Sequence, residues 1–285
     1  MNLIKTPQEV EIMREGGKIL ATVLKEIAAM AKPGITTLEL DRAAEALITS
    51  YPVWVGSNIN LKVLQEQNFF KSVRTDKGVN PEISILSHGA KPAFKGYEGF
   101  PYSLCASVNE VIVHGYPSQY ALKEGDIVGL DLGVLWKGYN TDMAVTVAIG
   151  EVDFETRRLL EVTKKALRLG IKKARAGITT GDIGNTIQRC IEDAGFGVVQ
   201  DLVGHGIGKQ VHEEPQVPNY GERKKGTVLK EGMVICIEPM VTMGSWQMKK
   251  AKDGYGFATR DGSLAAHFEH TLAITKDGCK VLTEA

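Results

Sequence analysis

The sequence lacks the features that mark several classes of protein. No stretch approaches the roughly 18 consecutive apolar residues of a membrane-spanning helix. The first residues carry no basic segment followed by an apolar core, so no signal peptide is predicted. The 34 Lys and Arg residues are balanced by 34 Asp and Glu residues. Without an excess of positive charge, no nucleic-acid partner is predicted.

Cysteine is scarce and scattered along the chain. The four cysteines, Cys105, Cys190, Cys236 and Cys279, lie far apart and form no CxxC pair. This spacing is typical of free thiols in a reducing compartment and not of a disulfide framework. Together with the missing signal peptide, it predicts a cytoplasmic protein that is not bound to a membrane.

Several catalytic motifs are also missing. The sequence contains no HExxH zinc motif, no GxSxG motif of serine hydrolases and no phosphate-binding P-loop. Serine hydrolysis and the binding of nucleotide phosphates therefore have no support in the sequence.

What the chain does contain is an internal repeat. The tetrapeptide LKEG begins at Leu122 and again at Leu229. An apolar run follows each copy, and the runs lead to Asp131 and to Glu238, which occupy the same place in the two copies. Each copy predicts a buried strand with a carboxylate at a defined position.

A second repeated tetrapeptide accompanies the first. The sequence GITT occupies residues 34–37 and 177–180, and each copy lies between two predicted helices. The first helix is predicted to begin at Pro7 after the capping residue Thr6, and its counterpart to cover Glu155 to about Ala174. Chance recurrence of common tetrapeptides is the alternative, but two repeats in one order favour duplication.

The repeat predicts an α+β fold built from two pseudo-symmetric halves, about residues 1–150 and 151–285, in a single domain. The first half is longer between its two tetrapeptides. The excess falls at about residues 50–87, which lack sustained periodicity and are interpreted as an inserted segment.

Two acids are predicted on one face of a hairpin. The run before the turn is apolar apart from Asp131. With Lys137 and Gly138 as the turn, Asp131 faces Ala144, and Asp142 lies on the same face. Two carboxylates in an apolar setting repel each other and lose hydration, which favours a bound cation. Solvated acids on an exposed edge hairpin are the alternative.

Two further acids belong to the second half. Glu238 ends the apolar run Met233–Ile237, and Glu269 lies in the strand-like run Ala266–Ile274. Because the repeat gives Glu238 the position of Asp131, a site at the pseudo-twofold axis would gather acids from both halves.

The sequence has six histidines. His205 lies among glycines in GHGIG and is interpreted as a ligand, with a simple turn residue as the alternative. His212 follows in VHEEP, and His114 ends a predicted strand from Val108 to Val113. One histidine with four carboxylates suits two divalent ions such as Mn, Fe, Co or Zn. No role is assigned to the others: His88, His267 and His270.

Seven segments together resemble one family. The order CASVNEVIVHG, DIVGLDLG, GYNTDMAVTV, GHGIG, VHEEPQV, ICIEPMV and FEHTLAIT is similar to that of type I methionine aminopeptidases, over nearly the whole chain except the inserted segment. The resemblance implies the pita-bread fold, in which two pseudo-symmetric halves, with antiparallel sheet covered by helices, surround a central dinuclear metal site.

The resemblance implies five metal ligands. Asp131 would bind chiefly one ion, Asp142 and Glu269 would bridge both, and His205 and Glu238 would complete the other. The nucleophile would be a water whose pKa the metals lower.

Catalytic and pocket residues are implied in the same way. His212 resembles the histidine that stabilises the tetrahedral intermediate, and His114 resembles the one near the scissile amide, while Glu238 or Glu269 could shuttle a proton. A methionine pocket needs apolar walls, for which core packing is the alternative role. Its implied lining, with Tyr255 where the family often has Trp, is Phe94, Tyr97, Phe100, Cys105 and Tyr255.

The implied activity is removal of the initiator methionine from nascent proteins when the second residue is small, by a monomer that contacts the ribosome transiently. The inserted segment could narrow access to the site or contact the ribosome, and a surface decoration without catalytic effect is the alternative. Two rivals remain. One is an aminopeptidase P, prolidase or creatinase-like enzyme on the same fold. The other is a metal-free binding protein on this fold, although such relatives have lost ligands and this sequence retains all five.

Overall fold

A computed structural model of the protein describes residues 3–50 and 89–284. The inserted segment predicted at about residues 50–87 lies outside the described residues, apart from Ser50. His88 lies outside them as well.

Four α-helices occur in the described part of the chain. Thr6 Oγ1 accepts a hydrogen bond from Glu9 N, and Glu9 Oε2 accepts one from Thr6 N at 2.7 Å, which closes the predicted cap of the first helix. Within the described ranges, no helix is both long and apolar enough to cross a membrane. The helices are α1 Pro7–Met30, α2 Thr37–Ser50, α3 Phe154–Lys173 and α4 Thr180–Glu192.

The strands are short except for one hairpin, whose two strands span ten residues each. They are β1 Lys91–Pro92, β2 Leu104–Val108, β3 Val111–Val113, β4 Ile127–Trp136, β5 Tyr139–Ala148, β6 Gly197–Val198, β7 Gly204–Gly206, β8 Glu213–Val217, β9 Val234–Ile237, β10 Met240–Thr242, β11 Met248–Lys250, β12 Phe257–Thr259, β13 Ala265–His267, β14 His270–Ile274 and β15 Cys279–Val281.

All pairings between these strands are antiparallel. Strand β4 pairs with β5 along its whole length and with β2 and β1 along its other edge. In the second half, five strands follow the order β15-β14-β9-β7-β8. Two three-stranded sheets, β13-β10-β6 and β11-β12-β3, complete the described part, and the second of them joins strands from both halves.

The two LKEG–GITT units make the same backbone hydrogen bonds. Gly34 N donates to Leu122 O at 2.8 Å, and Gly177 N donates to Leu229 O at 2.9 Å. Both glycines have positive φ, 92° and 86°, which residues with a Cβ rarely adopt. The repeated tetrapeptides therefore hold each helix pair against the strand that follows LKEG.

Strands β5 and β14, which return along β4 and β9, continue this correspondence. Gly125 N donates to Ile149 O at 2.9 Å, and in the second half Gly232 N donates to Ile274 O at 3.0 Å. Ile149 and Ile274 thus occupy equivalent positions, and residues counted back from them correspond pairwise.

Two equivalent threonines connect the halves reciprocally. Thr146, three residues before Ile149, donates through Oγ1 to His267 O at 2.8 Å and accepts from His267 N at 2.9 Å. Thr271, three residues before Ile274, does the same with Asp142 O at 2.8 Å and Asp142 N at 2.9 Å. Thr146 therefore joins β5 to the end of β13, and Thr271 joins β14 to β5.

Each half has its own apolar core. The first places Leu20 and Ile27 of α1 in one cluster with Leu130 of β4. The second places Ile187 of α4 together with Ile237 of β9. Burial of these faces against the sheets stabilises the fold, at about 25 cal/mol per Å² of apolar surface. Asp131 and Asp142 lie on strands β4 and β5, and Glu238 and Glu269 lie directly beside the ends of β9 and β14.

The structure corrects two predicted strands. The strand predicted from Val108 to Val113 is wrong because the chain turns at Asn109, where φ is 54° and the side chain accepts a hydrogen bond from Ile127 N. The continuous run predicted from Ala266 to Ile274 is also wrong. It is interrupted before β14, where Glu269 N donates to Ala144 O at 2.9 Å instead of continuing a ladder.

Candidate metal centre and active-site cavity

The hairpin β4–β5 brings two carboxylates to one buried face. Asp131 pairs with Ala144, as predicted, and Asp142 pairs with Gly133. The turn residues Lys137 and Gly138 both have positive φ, 47° and 85°, which fits a tight two-residue turn. Asp131 is 7% exposed and Asp142 is 3% exposed, so neither acid is solvated as an exposed hairpin would require.

The second half contributes two more acids. Glu238 follows the last residue of β9, and Glu269 precedes β14; both are buried. The bond from Glu269 N to Ala144 O attaches this acid to the hairpin that carries Asp131 and Asp142. Carboxylates from both halves therefore meet at one place.

His205 lies in β7 between two glycines that leave no room for side chains. A Cβ on Gly206 would lie 2.0 Å from Glu214 O. His205 Nδ1 lies 2.9 Å from Gly206 O, so Nδ1 carries the proton and Nε2 has a free lone pair. Nε2 lies 3.4 Å from Glu238 Oε1 and 4.0 Å from Glu269 Oε1.

In the part of the chain that the structure describes, two groups of side chains have their ligand atoms within 4.8 Å of one another, and they share Glu269. One contains Asp131 and Asp142, and the other contains His205 and Cys236. Asp131 Oδ1, Asp142 Oδ1 and Glu269 Oε1 are buried and have no hydrogen-bond partner within residues 3–50 and 89–284. Orphaned buried carboxylate oxygens cost free energy unless a cation is bound, so the residues present fit divalent ions.

The pKa shifts within the cluster also favour a bound cation. Burial, and then repulsion from Glu269, raises the pKa of Asp142 well above its usual range. Burial raises the pKa of Glu269 and of Glu238 in the same sense, with added repulsion among the acids. Burial also raises the pKa of Asp131. Burial lowers the pKa of His205 to about 3, so the imidazole is neutral and able to bind a metal.

Two further histidines face the same cavity. The ring centroids of His212 and His205 lie 4.4 Å apart, and Tyr97 Oη lies 3.1 Å from His212 Nδ1. His114 directly follows β3, with a φ of 59°, and burial lowers its pKa to about 4. Both imidazoles border the cavity beside the carboxylates.

The loop that carries His212 is attached to the N-terminal segment by a buried ion pair. Lys5 Nζ lies 2.7 Å from Glu213 Oε2, and the two side chains are 5% and 3% exposed. Glu213 Oε1 also accepts from Gln210 N at 3.0 Å. A Cβ on Gly208 would lie 2.6 Å from Lys5 Cε, so this glycine makes room for the lysine.

The cavity has a volume of about 470 Å³, with a polar end and an apolar end. The five ligand candidates lie at the polar end. Aromatic side chains form the apolar end, where the ring centroids of Phe100 and Tyr255 lie 5.3 Å apart. The structure places all the predicted pocket residues in its lining: Phe94, Tyr97, Phe100, Cys105 and Tyr255.

Several residues near the site were not predicted from the sequence, among them Val211, Cys236 and His267. Val211 packs against the aromatic side chains at the apolar end, and no sequence signal marked it. Cys236 lies in β9, two residues before Glu238, which directly follows that strand, so the alternation of side chains was a usable signal. His267 is 3% exposed, and its Nε2 lies 3.5 Å from Glu238 Oε2.

The fold and the buried cluster of acids and imidazoles define a class of protein. Residues 11–276 match the profile of metallopeptidase family M24, and the chain belongs to this family. Its fold is therefore the pita-bread fold.

Comparison with individual proteins is more specific. The chain is 42% identical to the methionine aminopeptidase of Clostridium perfringens and 41% identical to methionine aminopeptidase 1 of Bacillus subtilis, with 99% of each chain covered. A crystal structure of methionine aminopeptidase from Thermotoga maritima superposes with a TM-score of 0.83 at 38% identity over the full length of both chains. The prolidase of Pyrococcus furiosus, at 24% identity, 66% coverage of its chain and a TM-score of 0.69, shares the fold alone.

Proposed function

We propose that the protein is a methionyl aminopeptidase that removes the initiator methionine from nascent proteins when the second residue is small. The observation that carries this proposal is one cavity with two unlike ends. An apolar aromatic end suits a methionine side chain, and the buried acids and imidazoles at the other end suit metal-assisted hydrolysis. The similarity to methionine aminopeptidases over the whole chain supports the same activity.

We infer that two divalent ions, of Co, Mn, Fe or Zn, bind at the carboxylates. Asp131 would hold chiefly one ion, His205 and Glu238 the other, and Asp142 and Glu269 both. Four carboxylates and one imidazole form an oxygen-rich donor set that these ions accept. When bound, such ions lower the pKa of a coordinated water and so supply a nucleophile at neutral pH.

The side chains around the cavity take the remaining roles. Burial raises the pKa of Tyr97, so its hydroxyl stays protonated and donates to His212 Nδ1. The Nε2–H of His212 is then available to a developing oxyanion at the scissile carbonyl. His114 would contact the substrate near the scissile amide, and Glu238 would take and return the proton.

We further propose that residues 1–285 form one catalytic domain that acts as a monomer in the cytoplasm, with nascent N-termini as partners and a transient ribosome contact. The four cysteines are all free, which supports a reducing compartment.

The test is release of free methionine from Met-Ala-Ser by metal-stripped protein, with and without added Co²⁺ or Mn²⁺. Metal-dependent release is expected, and it is lost in the Asp142→Asn variant, which removes an orphaned carboxylate without changing its shape. A folded, metal-loaded protein that releases no methionine, or that cleaves Xaa-Pro peptides instead, would contradict the proposal. Absence of bound metal after loading would favour a binding protein.

A further inference from the structure

His267 is a buried imidazole that the proposed mechanism does not use. Its Nε2 has no hydrogen-bond partner among the described residues, although the side chain is 3% exposed. The nearest charged atom is Glu238 Oε2, at 3.5 Å. The other oxygen of this carboxylate, Oε1, lies 3.4 Å from His205 Nε2. Glu238 is therefore placed between two imidazoles, one on each oxygen.

The pseudo-twofold explains why a side chain at this position faces the site. His267 lies four residues before Thr271, and Asp142 lies four residues before the equivalent Thr146. The main chain of each is held by the threonine of the other half, through two hydrogen bonds of 2.8 and 2.9 Å. His267 thus occupies in the second half the position that Asp142 occupies in the first.

Its place relative to the ligand candidates differs from that of Asp142. Asp142 belongs to a group whose ligand atoms all lie within 4.8 Å of one another, whereas His267 and Glu238 belong to neither such group and lie next to each other. An imidazole next to a ligand carboxylate, but outside the ligand set, is suited to donate an N–H to that carboxylate.

We propose that His267 is a positioning residue for the metal centre: its Nε2–H holds Glu238 Oε2 and leaves Oε1 directed to the metal beside His205. This inference rests on the proposed function, because it assigns Glu238 to the metal. Outer hydrogen bonds of this kind fix the orientation of a ligand, and their loss lowers metal affinity about 10-fold to 100-fold.

The test is titration of metal-free protein with Co²⁺, followed by its visible absorption. The His267→Phe variant keeps a buried ring but removes the donor, and we expect its Co²⁺ affinity to fall about 10-fold to 100-fold with an altered spectrum. The His267→Gln variant restores an N–H donor, and we expect affinity and spectrum close to those of the wild type. Rescue by glutamine separates positioning from packing.

The matched control is His270→Phe. His270 is three residues further along and is partly buried, but its Nδ1 contacts Thr283 Oγ1 at 2.9 Å and not the metal centre. We expect this variant to lose stability and keep the wild-type Co²⁺ affinity.

Three results would overturn the inference: wild-type affinity in His267→Phe, equal losses in the glutamine and phenylalanine variants, or a wild type that binds no Co²⁺. Methionine release by the wild type is measured in parallel. A wild type that binds Co²⁺ without releasing methionine contradicts the proposed function, while the titration still decides the role of His267.

Discussion

Strands β4 and β9, which follow the two LKEG segments, begin with the same hydrogen bonds but end differently. Strand β4 continues past Asp131 to Trp136, and β5 pairs with it throughout. Strand β9 ends at Ile237, and Pro239 after Glu238 has no N–H to extend a ladder. The backbone hydrogen bonds that both halves make place Asp131 and Glu238 at equivalent positions. The break in the second half leaves Glu238 outside the ladder, where its two oxygens face different imidazoles.

The largest expected effect comes from removing each of the two acids in turn. If the strands serve different ions, Asp131→Asn and Glu238→Gln each leave one ion of two bound, measured by elemental analysis per chain. We expect methionine release to fall at least about 100-fold in both variants, because the nucleophile depends on both ions.

The control for this pair is Glu155→Gln, at the exposed start of α3, which should keep both ions and full activity. Equal metal content in wild type and both variants would show that the repeated acids are not ligands.

The second comparison concerns the reciprocal threonines. Thr146→Val and Thr271→Val each leave a buried N–H and C=O of the other half without a partner. We expect each to lower the free energy of unfolding by about 2 to 3 kcal/mol, measured by urea unfolding of metal-loaded protein. Thr22→Val, which removes only a bond to Lys18 O within α1, should cost less than about 0.5 kcal/mol. A loss of stability in only one of the two variants would contradict the equivalence of Thr146 and Thr271.

The smallest expected effect is a difference in how the buried acids and the imidazole of His205 make the stability depend on pH. In the metal-free protein the pKa values of Asp142, Glu238 and Glu269 are raised, so their contribution to stability is present at low pH and lost as pH rises through those values. His205, with its pKa lowered to about 3, contributes stability above pH 6.5 and loses it below. Because this imidazole is neutral with or without metal, it contributes equally to the stability of the metal-loaded and the metal-free protein.

We therefore expect the stability difference between metal-loaded and metal-free protein to grow with pH until pH exceeds the raised pKa values of the acids, by about 1.4 kcal/mol per pH unit for each proton released. Melting temperatures of both forms across this range measure it. Asp142→Asn, with one titrating acid fewer, should give a shallower dependence. A difference that stays constant or shrinks with pH would contradict the shifted pKa values.

Local signals predicted the parts of the structure that depend on neighbouring residues. The Lys137–Gly138 turn determined the register of β4 and β5, and with it the shared face of Asp131 and Asp142. The position of His267 was not predictable, because its main chain is held by Thr146, which is 121 residues away. The turn at Asn109 was missed because an apolar run was interpreted as one strand, whereas tertiary bonds to Ile127 interrupt it.

The ion pair between Lys5 and Glu213 has a consequence for the order of folding. Its partners are 208 residues apart, and the threonine connections span 121 and 129. Contacts this distant in the chain form late, because loop closure must precede them. On the ribosome, Lys5 emerges long before Glu213, and the hairpin with Asp131 long before Glu269. The cluster of carboxylates from both halves therefore cannot be complete before Glu269 has been synthesised.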